Sequence, residues 1–274
     1  IANKYGFEEV DSPIIEPIEI YSKSGEEIPD QIYELIDKSG RKLALRPETT
    51  PSIARMIEAK KDIKLPIKWF SISRCLRYES PQLGRQREFF QLNLDILGNK
   101  NMQSDAEIIS TSIRIMLAFG LNMKDFYVRI SNRKLIEALL LSVGIKKDKL
   151  QVVSRTIDKV SKLNRKDFVL TLKDLKLSDK QVKQILRILS IDNIKEIKKY
   201  KLDVSGINGL NELNSLFSYL RSYNLSKYCR LDLSIMRGFD YYTSTVFEVF
   251  DKKEKFRAVS GGGRYDNLAN YPGV

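Results

Sequence analysis

Arg74, Arg77, Glu79, Arg85, Arg87 and Glu88 crowd one short stretch of the chain. Guanidinium groups present paired N–H donors in a fixed fork that matches the oxygens of phosphates and carboxylates, so this stretch is chemically suited to gripping an anion. Just beyond it Gln91, Asn93 and Asp95 recur at every second position and add hydrogen-bonding groups on one side. The chain has no histidine. That excludes Ser-His-Asp and Cys-His nucleophile systems and H-E-x-x-H metal chemistry, and leaves Arg, Lys, Tyr and carboxylates for any catalysis.

The elements that position these groups follow from periodicity. Residues 69–78 and 89–97 are rich in aromatic and β-preferring types and flank a charged loop, 80–87, that holds Pro81 and Gly84, so the spacing predicts a long antiparallel hairpin. Phe90, Leu92, Leu94 and Ile96 form an apolar row expected to face a core. Gln91, Asn93 and Asp95 then line either a pocket or the wet side of the sheet. Upstream, a helix tail stops at Gly6, an extended run covers 10–20 with Pro13 and Pro17, and 31–47 reads as a second hairpin turning at Ser39-Gly40. Arg46-Pro47-Glu48-Thr49-Thr50-Pro51 opens a helix over 52–61, where Glu48 and Thr50 could be capping groups.

Downstream, helical spacing covers 103–119 and ends at Gly120, and 126–131 reads as a strand. From 133 to 227 the pattern becomes helical throughout, with Ser178 as an N-cap before Val182, Ile185, Leu186 and Leu189 on one face. Alternation returns at 231–235, a turn falls near Arg237-Gly238, and 241–250 is extended before the Gly261-Gly262-Gly263 run. Together these elements predict an α+β protein, an antiparallel β-sheet flanked by helices with a small inserted helical domain. The expected limits are 1–132 and 228–274 for the main domain and 133–227 for the insertion.

Charge is unevenly placed. The net charge is +12, and 133–227 alone holds 21 basic and 10 acidic side chains, which makes either a polyanion partner or a lysine-rich solvated surface. The longest apolar stretch, 135–145, is interrupted by Glu137 and is too short for the ~20 residues of a membrane span. Cys75 and Cys229 form no metal-ligand spacing and read as buried thiols of a cytoplasmic protein.

Four ordered motifs resemble those of histidyl-tRNA synthetases, which are class II aminoacyl-tRNA synthetases. Arg77-x-Glu79 followed by P-Q-x-G-R-x-R-E-F-x-Q over 81–91 is similar to motif 2; R-P-E-x-T over 46–50, R-G-F-D-Y-Y over 237–242 and G-G-G-R-Y-D over 261–266 resemble the family's further signatures. The opening residues correspond to the end of motif 1, which implies a homodimer. The resemblance implies the class II catalytic fold and a two-step reaction in which L-histidine and ATP give histidyl-adenylate, which then charges tRNA(His).

It also implies roles for individual residues. Arg77 and Arg237 would clamp the α-phosphate from two sides, Arg85 would reach the β- and γ-phosphates, Glu79 would meet the adenine amino group, and Phe89 would complete the ATP site. Glu48 and Thr50 would hold the amino group of histidine, while Gln91, Asp95, Tyr241, Tyr242 and Tyr265 surround its ring. Arg77 and Arg237 would also touch the histidine carboxylate. Asp95 stands where bacterial members carry Glu, with the same charge and a shorter reach. Ser80 and Gln86 depart from residues common in the loop that reads the tRNA end. ATP brings Mg2+, for which no ligands are assigned.

The chain opens at Ile1 and stops at Val274, before the family's motif 3 and anticodon-binding domain, so a C-terminally truncated core is expected. Two other readings share parts of the pattern. One is the histidyl-synthetase-like regulatory subunit of ATP phosphoribosyltransferase, which binds histidine without charging tRNA. The other is a non-catalytic tRNA-binding module of the kind appended to stress kinases.

Overall fold

Glycines and prolines set the first boundaries. In the computed structural model, which describes all residues except 23, 25–27, 61, 161–162 and 237–240, a 3-10 turn over Ala2–Tyr5 ends where Gly6 takes a φ of 74°. The expected extended run is divided into β1 (Glu8–Glu9), β2 (Ile15–Pro17) and a further 3-10 turn over Ile18–Tyr21. Pro17 lacks the N–H that a continuing ladder needs, and the strand stops there. The hairpin predicted next is β3 (Tyr33–Ile36) and β4 (Lys42–Leu45), turning at Gly40 with a φ of 78°. Helix α1 (Thr50–Glu58) begins two residues before the expected start, with Pro51 in its first turn. The long hairpin is β5 (Ile67–Leu76) and β6 (Glu88–Leu97), followed by α2 (Met102–Ala118) and Gly120 with a φ of 84°.

The chain divides into two compact units, the first made of Ile1–Ile115, Gly238–Tyr242 and Arg264–Val274. It contains two three-stranded sheets, ordered β1-β5-β6 and β2-β4-β3, and the backbone of residues 272–274 adds to β6 through hydrogen bonds between Ile96 and Val274 and from Gly98 to Pro272. The β5–β6 register is unbroken over ten pairs from Ile67↔Leu97 to Leu76↔Glu88.

The two faces of β6 are covered the opposite way from expectation. Phe90 and Leu92 are 67% and 41% exposed, their neighbour Ile72 is 60% exposed, and of the apolar row Ile96 alone is buried. Asp95, Asn93 and Gln91 instead pair with Trp69, Ser71 and Ser73, all three buried. A period of two separates the faces without saying which is roofed. Here the roof lies over the polar side.

The second unit is Met116–Arg237 with Thr243–Gly263. In chain order it holds β7 (Phe126–Asn132), α3 (Arg133–Ser142), α4 (Leu150–Asp158), α5 (Arg165–Asp174), α6 (Asp179–Leu189), α7 (Ile194–Ile197) and α8 (Val204–Ser222). Three strands follow: β8 (Cys229–Leu231), β9 (Thr245–Asp251) and β10 (Ser260–Gly263). The sheet order is β10-β9-β7-β8, with β7 buried along its whole length. The strand expected over 231–235 ends at Leu231, because the Asp232 carboxylate accepts the Ser234 amide (3.0 Å) and hydroxyl (2.5 Å) and turns the chain. Likewise β9 begins only at Thr245, after the tyrosine pair.

Ser178 caps α6 as expected, and the structure adds a reciprocal capping box with Gln181. Helix α8 lies close enough to α3 to need glycine: a Cβ on Gly206 would overlap Ala138, and one on Gly209 would stand 2.6 Å from the Asn132 side chain. That side chain caps α3 by accepting the Leu135 amide (3.2 Å) and donates to Glu212 of α8 (2.8 Å). Arg187, Lys199 and Lys201 line a hollow of about 550 Å³ among these helices, which holds none of the expected site residues. No helix among the described residues is long and apolar enough to cross a membrane.

Candidate active site

The site is assembled in the first unit around the loop between β4 and α1. Arg46 is buried and serves the structure: its Nε donates to the Arg74 carbonyl (2.8 Å), an Nη donates to Asp11 (2.9 Å), and its carbonyl accepts the Leu76 amide (3.0 Å). These bonds fix the loop against β5. The next carbonyl, that of Pro47, accepts from Arg77 Nε (2.9 Å), and the Arg77 guanidinium lies over the Phe89 ring at 5.2 Å. Held by one nitrogen and a ring face, Arg77 keeps both Nη groups unpartnered among the described residues. A planar fork in this condition is ready for a carboxylate or phosphate.

The same loop carries one buried carboxylate, Glu48, and through Thr50 touches a second, Asp95. Tyr241 donates to Glu48 (2.8 Å), and Tyr265 donates to Asp95 (2.6 Å). Asp95 also accepts from Thr50 (3.4 Å) and Asn93; Asn93 in turn reaches the Thr50 hydroxyl (3.3 Å) and accepts from Gln91 at the outer limit of a hydrogen bond (3.5 Å). The Tyr241 ring stands edge-on to Tyr242 and Tyr265, with centroids 4.9 and 6.0 Å apart. Thr49, the N-cap of α1, makes no side-chain cap bond, while the Thr50 hydroxyl is turned to Asp95.

Burial sets the electrostatics. It pushes the Asp95 carboxyl up to about 6, with the Glu48 charge adding to the rise and the Tyr265, Thr50 and Asn93 donors opposing it. Burial and the neighbouring carboxylates hold the Tyr241 and Tyr265 hydroxyls well above the ordinary phenol value, so both stay protonated. Each phenol proton is committed to a carboxylate, so Glu48 and Asp95 act as acceptors, and the matching ligand end is a donor such as an ammonium or a ring N–H. With Arg77 bonded to the carbonyl next to Glu48, the arrangement suits a zwitterion.

The residues expected around a nucleotide are only partly gathered. Arg85 donates to Glu79 (2.7 Å) and Arg87 to the Glu79 carbonyl (3.2 Å), so the groups expected at the two ends of ATP are bonded to each other. Arg237, expected as the second clamp, lies outside the described residues. Asn93 was not among the expected ligand-binding residues and yet ties Gln91, Thr50 and Asp95 together. Its place two positions from Asp95 on the same face was the available signal. Arg264 has a structural role: its buried guanidinium bonds Asp105 (3.1 Å from Nε) and the Asn99 carbonyl (3.1 Å), fixing the backbone that presents Tyr265. Among the described residues no three carboxylate, thiolate or imidazole groups come together to hold a metal ion.

The family model described as histidyl-tRNA synthetase matches residues 1–273. The chain belongs to the histidyl-tRNA synthetase family. It is 38% identical to a histidine–tRNA ligase of Opitutus terrae over 96% of this chain and 62% of that protein. It is also 38% identical to the chloroplastic/mitochondrial histidine–tRNA ligase of Arabidopsis thaliana, over 98% of this chain and 55% of the relative. This family core thus spans only about three-fifths of the length of these curated relatives. Among solved structures it resembles an ATP phosphoribosyltransferase regulatory subunit/histidyl-tRNA synthetase from Bacillus halodurans, with a TM-score of 0.87 at 26% identity, covering 99% of this chain and 72% of that one. It shares the fold of a histidyl-tRNA synthetase from Nostoc (TM-score 0.83, 23% identity, 100% and 65% covered). The α+β class expected of a histidyl-tRNA synthetase catalytic fold is the one observed.

Proposed function

We propose that this chain is the catalytic core of a histidine–tRNA ligase that activates L-histidine with ATP and transfers it to tRNA(His). The observation that carries the reading is the pairing of Tyr241 with Glu48 and of Tyr265 with Asp95, because it sets two accepting carboxylates in the neighbourhood of the Arg77 fork, which bonds the carbonyl next to Glu48. Histidine has the complementary pattern: an ammonium and a ring N–H to donate, and a carboxylate to be gripped. A site built on buried hydrogen-bonding groups rejects analogues that leave them unpaired.

In the first step a histidine carboxylate oxygen attacks the α-phosphorus of ATP, a P–O bond to the β-phosphate breaks, and pyrophosphate leaves. Bringing two anions together needs cations at the developing charge more than an acid or base. Arg77 and Arg237 take that role, and Arg85 leaves Glu79 for the outer phosphates as Glu79 turns to the adenine amino group and Phe89 flanks the base. Glu48 and Thr50 hold the ammonium; Gln91, Asp95 and Tyr242 with the two hydrogen-bonded tyrosines surround the ring. In the second step a terminal ribose hydroxyl of tRNA takes the acyl group and AMP departs. Mg2+ accompanies ATP, the inserted helices over 133–227 meet the RNA, and the protein works as a cytoplasmic class II homodimer.

Histidine-dependent exchange of pyrophosphate into ATP by the full-length protein carrying this chain tests the reading. Exchange that requires histidine is the expected result. Tight histidine binding without exchange would instead favour the regulatory-subunit reading, which the double name of the Bacillus halodurans neighbour brings in.

A further inference from the structure

Residues 228–274 carry seven basic and six acidic side chains, a balance that suggests no affinity for an anion. At the β9–β10 hairpin the fold separates the two signs. Asp251 is turned onto the backbone of the turn, accepting from the amides of Lys253 (3.2 Å), Lys255 (3.3 Å) and Phe256 (3.2 Å). Glu254 occupies the left-handed region (φ 49°), and its carboxylate takes the Tyr127 hydroxyl and the Arg129 guanidinium (2.7 Å), with Arg230 at 3.5 Å. Asp232 likewise faces Arg129 (3.5 Å). The acids of this corner are spent internally.

The cations of the turn are not. Lys253, Lys255 and Arg257 are exposed and make no ion pair among the described residues; between them Phe256 is 41% exposed, and Val259 follows at 56%. At the base of the turn the Arg230 guanidinium stacks on the Tyr127 ring at 3.7 Å, with Lys252 over the same ring at 5.1 Å. The Lys252 amide bonds the Asp125 carbonyl (2.8 Å), which anchors the hairpin beside Lys124. Cations alternating with a presented ring are what single-stranded nucleic acid meets in its binding proteins, where phosphates take the charges and an unstacked base takes the ring. An acidic peptide would take the charges but brings no planar base to stack on the ring.

We infer that the tip of the β9–β10 hairpin is an RNA-contacting prong, in which Lys253, Lys255 and Arg257 engage phosphodiester oxygens and Phe256 receives a base. Only the choice of RNA as partner rests on the tRNA-charging reading. Binding is measured without histidine or ATP, so either idea can fail while the other stands.

The test is binding of a tRNA(His) transcript to the full-length protein carrying this chain, across a range of potassium chloride concentrations. The triple variant Lys253→Gln/Lys255→Gln/Arg257→Gln leaves the Asp251-bonded turn intact. It should lose tenfold or more in affinity, with a slope of log affinity against log salt shallower by about 2, as three lost contacts to a single strand require. Phe256→Ala should cost about tenfold with the slope unchanged. A triple variant that keeps both wild-type affinity and wild-type slope overturns the inference. So does an equal loss of polyglutamate and RNA binding in the triple variant together with a silent Phe256→Ala.

Discussion

The β5–β6 hairpin and the helices between β7 and β8 carry charge in opposite ways. In the hairpin each charge is held: Arg77 by a carbonyl and a ring, Asp95 by three donors in a buried site. In the helices the excess is spread over exposed lysines, of which Lys173 and Lys199 have carboxylate partners that are exposed themselves. Surface pairs of that kind contribute little, whereas a desolvated and fixed group has a large effect on whatever reaches it. Chemistry at one atom therefore depends on single residues, and attraction of a polyanion depends on how many there are.

The sharpest way to break this contrast is Arg77→Ala. Removing one fixed cation from a developing phosphate charge should lower histidine-dependent pyrophosphate exchange by roughly 10²- to 10³-fold. Arg77→Lys should recover little, since a lysine cannot both bond the Pro47 carbonyl and present a fork. A variant that retains half its exchange rate would remove Arg77 from the chemistry.

Asp95→Asn comes next and has two readouts. Because the folded state raises this carboxyl from 3.8 to about 6, its titration favours folding below about pH 4, and that advantage disappears as pH rises through about 6. Wild-type stability should thus fall by about 3 kcal/mol relative to Asp95→Asn between those limits. At neutral pH the variant should be at least as stable yet bind histidine far more weakly. Parallel stability curves for the two proteins would show that Asp95 does not titrate in this range.

Gly209→Ala should destabilise the second unit by about 1–3 kcal/mol in a thermal or urea melt, because the new methyl has no room beside Asn132. The smallest effects belong to the lysines. Changing Lys195, Lys198 or Lys199 singly to Gln should lower RNA affinity only a few-fold, and changing all three should add these losses and flatten the salt slope. If the triple change leaves affinity and slope untouched, the helical surface is a solvated coat.

Much of the hairpin was legible in the sequence. The aromatic and β-branched runs with Pro81 and Gly84 between them specify two strands and a loop, and Ser178 specifies the start of α6. The covered face of β6 was not legible, because Phe90 and Asp95 lie on opposite faces and the roof over Asp95 comes from Thr50 and Tyr265, far away in the chain. Tyr241 and Glu48 are 193 residues apart, so no local spacing relates them, and only the motif resemblance suggested that they meet. Residue type alone would not have separated Arg46 from Arg77: Arg46 is buried and used up on Arg74, Asp11 and Ser12.

The two glycines of α8 have a mechanical consequence. With no methyl to keep the backbones apart, α8 sits against the first turn of α3, and Glu212 clasps both Asn132 (2.8 Å) and Lys134 (2.5 Å). Asn132 is also the last residue of β7, the strand bonded on both edges by β8 and β9. The long helix is thus tied by side-chain bonds to the end of an inner strand of the sheet, and a shift of α8 would have to break the Glu212 bonds or carry Asn132 with it.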